Sequence, residues 1–248
     1  MRTHGFVACT PRLAAIARAA AAIFVAASLV VIGPPSARAG IVDGCMQDVA
    51  GLGTLNCTAE DVTITSVHVL QVIDGCSGIG DTAQLQLSSD IEVNATTRYD
   101  VGFYLALDGG DALTGSCFRE YFPPPLSNAP TDADLATGYG PYLNATGDND
   151  QCGDGNQNDV TINPIKRLFS DSVVPSQPAT ITLTCKDDNH DGLLDVTYCS
   201  AWRNSSNFTC NSISDSGLPE TKAKCKCATI DTIPGVPVPT PTPTPTPT

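Results

Sequence analysis

From residue 62 onward, apolar and polar residues alternate with a period of two, the spacing that sends successive side chains to opposite faces of a β-strand. Val62-Thr63-Ile64-Thr65 opens the first run. The apolar phase slips near Ser66, which predicts a bulge before the strand resumes over Val67 to Ile73. Asp74-Gly75 ends it with a turn pair. Ala83, Leu85 and Leu87 then alternate with Gln84, Gln86 and Ser88, a half-buried strand that Ile91-Glu92-Val93 continues. The strongest alternation puts Tyr99, Val101, Phe103, Leu105 and Leu107 on one face, with Asp100, Gly102, Tyr104 and Ala106 opposite, and Asp108-Gly109-Gly110 closes it. Ile181, Leu183 and Cys185 repeat the pattern, as do Leu194, Val196 and Tyr198. At 222–227, Lys222, Lys224 and Lys226 share one face, while Ala223, Cys225 and Cys227 share the other. A lysine face suits an edge strand, and it turns both cysteines inward, each toward a bridge with a different element.

These runs predict an all-β fold: a disulfide-rich antiparallel β-sandwich with long loops. The irregular stretch from Pro123 to Gln157 reads as a long crossing connection inside a single domain spanning 40–232. The chain ends differ from this middle. Arg2, Arg12 and Arg18 precede an apolar run from Ala19 to Ile32, and Gly33-Pro34-Pro35 breaks it. Ala37-Arg38-Ala39 supplies a small-x-small cleavage pattern, so residues 1–39 read as a signal peptide cut before Gly40. The mature chain carries no membrane span by this reading. From 233 to 248 the sequence becomes a Pro/Thr-rich linker or disordered tail, for which alternating proline favours an extended polyproline II form. Such a tract fits a spacer leading to a further partner.

Charge and cysteines narrow the picture. Of 13 lysines and arginines, four (Arg2, Arg12, Arg18 and Arg38) fall before residue 40, which leaves nine against 26 acidic residues and a net charge of −17. A field of that sign repels phosphate backbones and anionic lipid, so nucleic acid is excluded as the expected partner. Among the acids, 22 are Asp and only four Glu, a balance that favours turns and metal loops over helices. Ten of the 11 cysteines remain once Cys9 is removed with the signal: Cys45, Cys57, Cys76, Cys117, Cys152, Cys185, Cys199, Cys210, Cys225 and Cys227. An even number delivered to an oxidising compartment predicts five disulfides, of unspecified connectivity.

The sharpest chemical motif is Asp187-Asp188-Asn189-His190-Asp191-Gly192-Leu193-Leu194-Asp195. Counted from Asp187, oxygen-bearing side chains fall at positions 1, 3, 5 and 9 and glycine at 6, as in calcium loops of the EF-hand kind. Ca2+ wants six to eight oxygens, and Asp187, Asn189, Asp191, the Leu193 carbonyl and Asp195 are the expected ligands. Tyr198 stands at position 12, where a bidentate Glu belongs, and Asp-Gly is also a plain hairpin turn pair. A weaker metal candidate gathers Asp148, Asp150, Asp154, Asn156, Asn158 and Asp159 around Cys152. No catalytic residue is expected. The mature histidines are His68 and His190, and neither G-x-S-x-G nor H-E-x-x-H occurs. Trp202 reads first as packing against a disulfide and second as a ligand-binding platform for sugar.

Several motifs together resemble a run in uncharacterised secreted bacterial proteins: Arg98-Tyr99-Asp100-Val101-Gly102, Asp108-Gly109-Gly110-Asp111-Ala112 with Thr114-Gly115-Ser116-Cys117, Cys152-Gly153-Asp154, Cys199 to Trp202, and Thr221 to Cys227. The resemblance covers most of 45–228, with Glu220 where a glycine is expected. It implies a secreted or cell-surface domain, often followed by repeat domains or a C-terminal sorting segment, and it carries over no activity. The expected function is an extracellular structural or adhesive module, calcium-stabilised, meeting a cell-surface protein or glycan. A carbohydrate-binding module and a glycosidase-like hydrolase are the alternatives.

Overall fold

The computed structural model describes residues 41–122, 152–155, 165–169, 178–208, 210, 215 and 217–240. Residues 1–40, most of the 123–157 stretch and the final Thr-Pro repeats lie outside them. Alternation becomes strand wherever it was strongest. In chain order the elements are β1 (Ile41–Gly44), α1 (Met46–Ala50), β2 (Val62–Asp74), β3 (Thr82–Val93), β4 (Tyr99–Ala106), β5 (Ser116–Tyr121), β6 (Ile165–Leu168), β7 (Ile181–Thr184), β8 (Leu193–Arg203) and β9 (Cys225–Pro237). They form two antiparallel sheets. One runs β1-β5-β4-β8-β9; the other runs β2-β3-β6, with β7 also paired to β3. β6 and β7 share the β3 edge that β2 leaves free, against Ser88–Ile91 and Thr82–Leu85 respectively. The bulge expected near Ser66 is present as a register shift between Ile64 and Ser66.

Side chains of both sheets meet in one apolar core, including Leu85, Leu87, Ile91, Val101, Phe103, Leu105, Val196 and Trp202. A second cluster lies on the other face of the five-stranded sheet, where Tyr104, Ala106, Cys117, Cys199 and Ala201 pack with Cys45, Met46 and Leu55. β4 is therefore buried on both faces. Polar staples also cross the sandwich. The Tyr198 hydroxyl accepts from the Ile64 amide and donates to the Ile64 carbonyl, both at 3.1 Å, and Ser200 Oγ donates to the Val62 carbonyl at 2.6 Å. Burial pushes the Tyr198 phenol up to about 12. Tyr198 thus belongs to the sheet-to-sheet contact, not to a loop ligand set.

All ten cysteines after residue 39 are paired: Cys45–Cys117, Cys57–Cys225, Cys76–Cys185, Cys152–Cys210 and Cys199–Cys227. Cys225 and Cys227 do bridge to different elements, the lead-in to β2 and the neighbouring strand β8. A bridge contributes about 2–4 kcal/mol, comparable to the roughly 1.5–3 kcal/mol gained by burying one large apolar side chain. Five of them offset the small aromatic content.

Two boundaries differ from the sequence expectation. Residues 222–224 form a turn closed by the Lys224 amide on the Thr221 carbonyl, so the strand begins at Cys225. At the other end, β9 runs past 233 to Pro237, and Ile233, Val236 and Val238 are buried in the core. Proline is tolerated there because the register jumps from Leu194↔Ile233 to Leu193↔Pro237. Pro234 and Gly235 (φ 88°) fall in the bulge, where no ladder amide is required.

Candidate metal site

The acidic motif connects β7 of one sheet to β8 of the other, so it is a crossing loop at one end of the sandwich and not a hairpin turn. Its root is fixed covalently by Cys76–Cys185, which joins it to the β2–β3 connection. The Cys185 amide donates to the Asp81 carbonyl at 2.7 Å, and the Gly80 amide donates to the Cys185 carbonyl at 2.8 Å.

Inside the loop, the alternate residues singled out by spacing turn their oxygens toward its backbone. Asp187 Oδ1 accepts from the Asp191 amide at 3.0 Å and Oδ2 from the Gly192 amide at 3.1 Å. Asn189 Oδ1 accepts from the Asp191 amide at 2.9 Å, and Asp191 Oδ1 from the Leu193 amide at 2.8 Å. Left-handed backbone at His190 (φ 60°) and Gly192 (φ 82°) lets the chain curl this tightly. His190 Nδ1 lies 3.0 Å from the Asp187 carbonyl.

Asp195 closes the ring. Its Oδ2 accepts from the Asp188 amide at 2.6 Å and more loosely from Asn189 at 3.4 Å. The side chain belongs to a residue only 3% exposed, and Oδ1 is buried with no hydrogen-bond partner. Burial raises the Asp195 carboxyl above its ordinary value, and the neighbouring Asp187 and Asp191 charges add to the rise. A buried anion held among like charges is short of positive charge. Asp187, Asp191 and Asp195 do not bring three carboxylate oxygens within 4.8 Å of one another. A cation at this loop would also need the Asn189 amide oxygen at position 3, the Leu193 carbonyl at position 7 and water, the mixed set that calcium loops of this kind use.

The sequence did not identify the partners that β9 brings. Thr232 Oγ1 donates to Asp191 Oδ2 at 2.8 Å, which with the Leu193 amide holds the Asp191 carboxyl below its ordinary value. Asn189 Nδ2 donates to the Asp231 carbonyl at 2.6 Å, and the Val238 amide to the Gly192 carbonyl at 2.8 Å. Apolar residues at Ile230, Ile233, Val236 and Val238, out of strict alternation across the register shifts, were the signal that the strand went on.

The other expected sites fare differently. Of the weaker acidic group, only Asp154 lies among the described residues; it is buried, and its Oδ1 accepts from the Asp100 amide at 3.1 Å. Asp148, Asp150, Asn156, Asn158 and Asp159 lie outside them. Trp202 is 0% exposed and belongs to the core between the sheets, so its ring offers no face to a sugar. Cys199, three residues earlier, faces the opposite side of the sheet, in the second cluster. Asp100 lies within 4.8 Å of the Cys152 and Cys210 sulfurs, but those are bonded to each other and are not thiolate donors.

Ser66, His68 and Asp90 also meet on the outer face of β2 and β3. His68 Nε2 is 2.9 Å from Asp90 Oδ2 and 3.1 Å from Ser66 Oγ, while Ser66 Oγ donates to Asp90 Oδ2 at 3.0 Å. Both partners use one ring nitrogen. A nucleophile–base–orienter relay needs the two nitrogens on separate partners, so the trio is a closed triangle and not a relay.

The motif Arg98 to Gly102 has a structural explanation. Asp100 takes φ 53° at a register shift of β4, and its carbonyl accepts from the Gly217 amide. A Cβ at Gly102 would sit 2.4 Å from Gly217 Cα, so only glycine permits that approach. Arg98 and Gly155 exchange backbone hydrogen bonds, and Val101 donates to Gly153. Two of the segments that carry the resemblance therefore interlock. Among the described residues, no helix is long and apolar enough to cross a membrane. No known protein family, curated protein or solved structure matches this chain.

Proposed function

We propose that this chain is an extracellular structural or adhesive β-module, exported and cleaved before Gly40, with calcium held in the 187–195 loop and no catalytic role. The observation that carries the reading is the engagement of Cys45 through Cys227 in five bridges spread over both sheets. Such bonds form and persist in oxidising compartments. Calcium is supported by the ring of alternate oxygens in the loop and by the unpartnered Asp195 Oδ1. A cell-surface protein or glycan is the partner class for such a module. The sugar-binding alternative loses its platform with Trp202 buried.

Alkylation and mass spectrometry of the exported, unreduced protein test the first part: no cysteine after residue 39 takes up label, and free thiols would count against export to an oxidising space. Thermal melting tests the second. At a calcium concentration 100 times the dissociation constant, binding adds about 2.7 kcal/mol, or roughly 5–10 °C for a domain of this size. A midpoint indifferent to chelator defeats the calcium reading.

A further inference from the structure

The large apolar side chains left exposed among the described residues all lie on one hairpin: Leu70 (44% exposed), Val72 (43%) and Ile73 (47%) late in β2, and Ile79 (58%) in its connection to β3. The two halves of β2 differ. At its start, the Tyr198 hydroxyl holds the Ile64 amide and carbonyl, and Ser200 Oγ holds the Val62 carbonyl. From Ser66 onward, β2 pairs with β3 alone among the described residues. Leu70 and Ile73 fall in the register shifts Val69/Gln71 and Val72/Asp74, with no opposite number on β3. This edge therefore offers aliphatic side chains more than a continuous ladder. Charged side chains are a common guard on such an edge, yet Val62–Ile73 and Thr82–Ser89 contain no Asp, Glu, Lys or Arg.

The charge of the whole chain says what suits this surface. With 26 acidic residues against 13 basic ones and a net charge of −13, two copies repel wherever acidic faces meet. On this hairpin they approach without setting carboxylate against carboxylate. The acids that bracket it are Asp74 and Asp81, and Asp81 Oδ2 already accepts from the Ser77 amide and hydroxyl. An antiparallel approach centred on Gln71 sets Leu70 opposite Val72 and Val69 opposite Ile73. It also sets Asp74 opposite His68, so that this carboxylate meets an imidazole and not its own copy. We propose that the second half of β2, together with Ile79, is a self-association surface through which two copies of this chain pack about a two-fold axis near Gln71. Four half-exposed aliphatic side chains fall short of the ~800 Å² per partner of a standard stable interface. The association is therefore weak and depends on local concentration.

Analytical ultracentrifugation of the exported protein tests this. The weight-average mass is expected to climb from one chain toward two between about 10 µM and about 1 mM. Raising the ionic strength from about 0.05 M to about 0.5 M is expected to tighten the association several-fold, because screening weakens repulsion between two acidic bodies. Val72→Lys changes an exposed side chain, so it keeps the wild-type melting midpoint, and it stays monomeric throughout the series. Gln71→Glu sets a carboxylate against its own copy at the axis and weakens association about tenfold, again with the fold intact. A protein that remains monomeric up to about 1 mM overturns the proposal. A dimer that persists undiminished in either variant overturns it too, since another face would then make the contact.

Discussion

Two Asp/Gly-rich loops of this domain look alike in sequence and differ in electrostatics. The segment 108–116 joins β4 to β5 within one sheet; 185–192 joins β7 to β8 across the two sheets. In the first, each carboxylate is met by backbone donors. Asp108 accepts from Gly110 at 2.9 Å and Ser116 at 3.1 Å, Asp111 from Thr114 at 3.0 Å, and Asp48 from Gly115 at 3.0 Å. The Gly110 amide leads in holding Asp108 below its ordinary value, against the opposing effect of partial burial. In the second, burial and like charge raise Asp195, and one of its oxygens has no partner. Every hairpin carboxylate is met by backbone donors, whereas in the crossing loop Lys186 pairs with Asp188 at 2.7 Å and one Asp195 oxygen is left without a partner. Composition alone does not separate the two loops; burial of the last carboxylate does.

The largest effect comes from Asp195→Asn. An amide keeps an acceptor for the Asp188 amide and removes a buried charge that Asp187 and Asp191 oppose. In chelator the variant is therefore at least as stable as the wild type. In calcium it loses a ligand and most of the metal increment, so the wild type moves ahead. The swing between the two conditions is about 3 kcal/mol, read as crossed melting curves. A variant weaker than wild type by the same amount in both conditions would mean that Asp195 is an ordinary structural acid.

That crossing depends on features the sequence exposed unevenly. The period-two pattern revealed β2, β3, β4 and β8, and the phase slip at Ser66 marked a real bulge, because strand geometry is local. The 1, 3, 5, 9 spacing of the acidic loop was legible for the same reason. Its grip on Asp231 and Thr232 was not, since those residues lie some 40 positions away and meet it only through the order of strands. The proline content at 233–238 suggested a solvated tail; a bulge that asks nothing of Pro234 lets β9 continue. Trp202 stands three residues after Cys199, an odd separation that sends them to opposite faces in a strand, and this sends the ring into the core. Disulfide pairing was unreadable because it follows tertiary proximity.

Next in size is a pair of glycine substitutions. Gly115 has φ 103°, and a Cβ there would lie 2.4 Å from Asp108 Oδ2, so alanine strains the backbone and displaces a carboxylate that caps the hairpin. Gly192 has φ 82°, and a Cβ there would meet nothing within 4 Å, so alanine faces only the backbone preference. Gly115→Ala is expected to cost about 2 kcal/mol or more and Gly192→Ala about 1 kcal/mol, by chemical denaturation in chelator. The reverse order would show that the hairpin is looser than its hydrogen bonds imply, and would blur the contrast between the loops.

The smallest effect is also the control. Asp108→Asn removes one charged acceptor from the completed hairpin, at roughly 1 kcal/mol, and the loss is the same with calcium and with chelator. Its pH dependence has a defined sign. Asp108 is held below its unfolded value, so its contribution is full above the ordinary carboxylate range and fades as pH falls through the lowered value. The gap between wild type and variant therefore closes on acidification. Asp195 runs the other way: its carboxyl is raised, so in the calcium-free protein its ionised form costs stability, and lowering the pH through the raised value relieves that cost. Melting curves of both variants in chelator, taken down the acid limb, should diverge in slope. Parallel slopes would mean that the two loops present the same electrostatic environment, and the case for a cation at 187–195 would fall with the contrast.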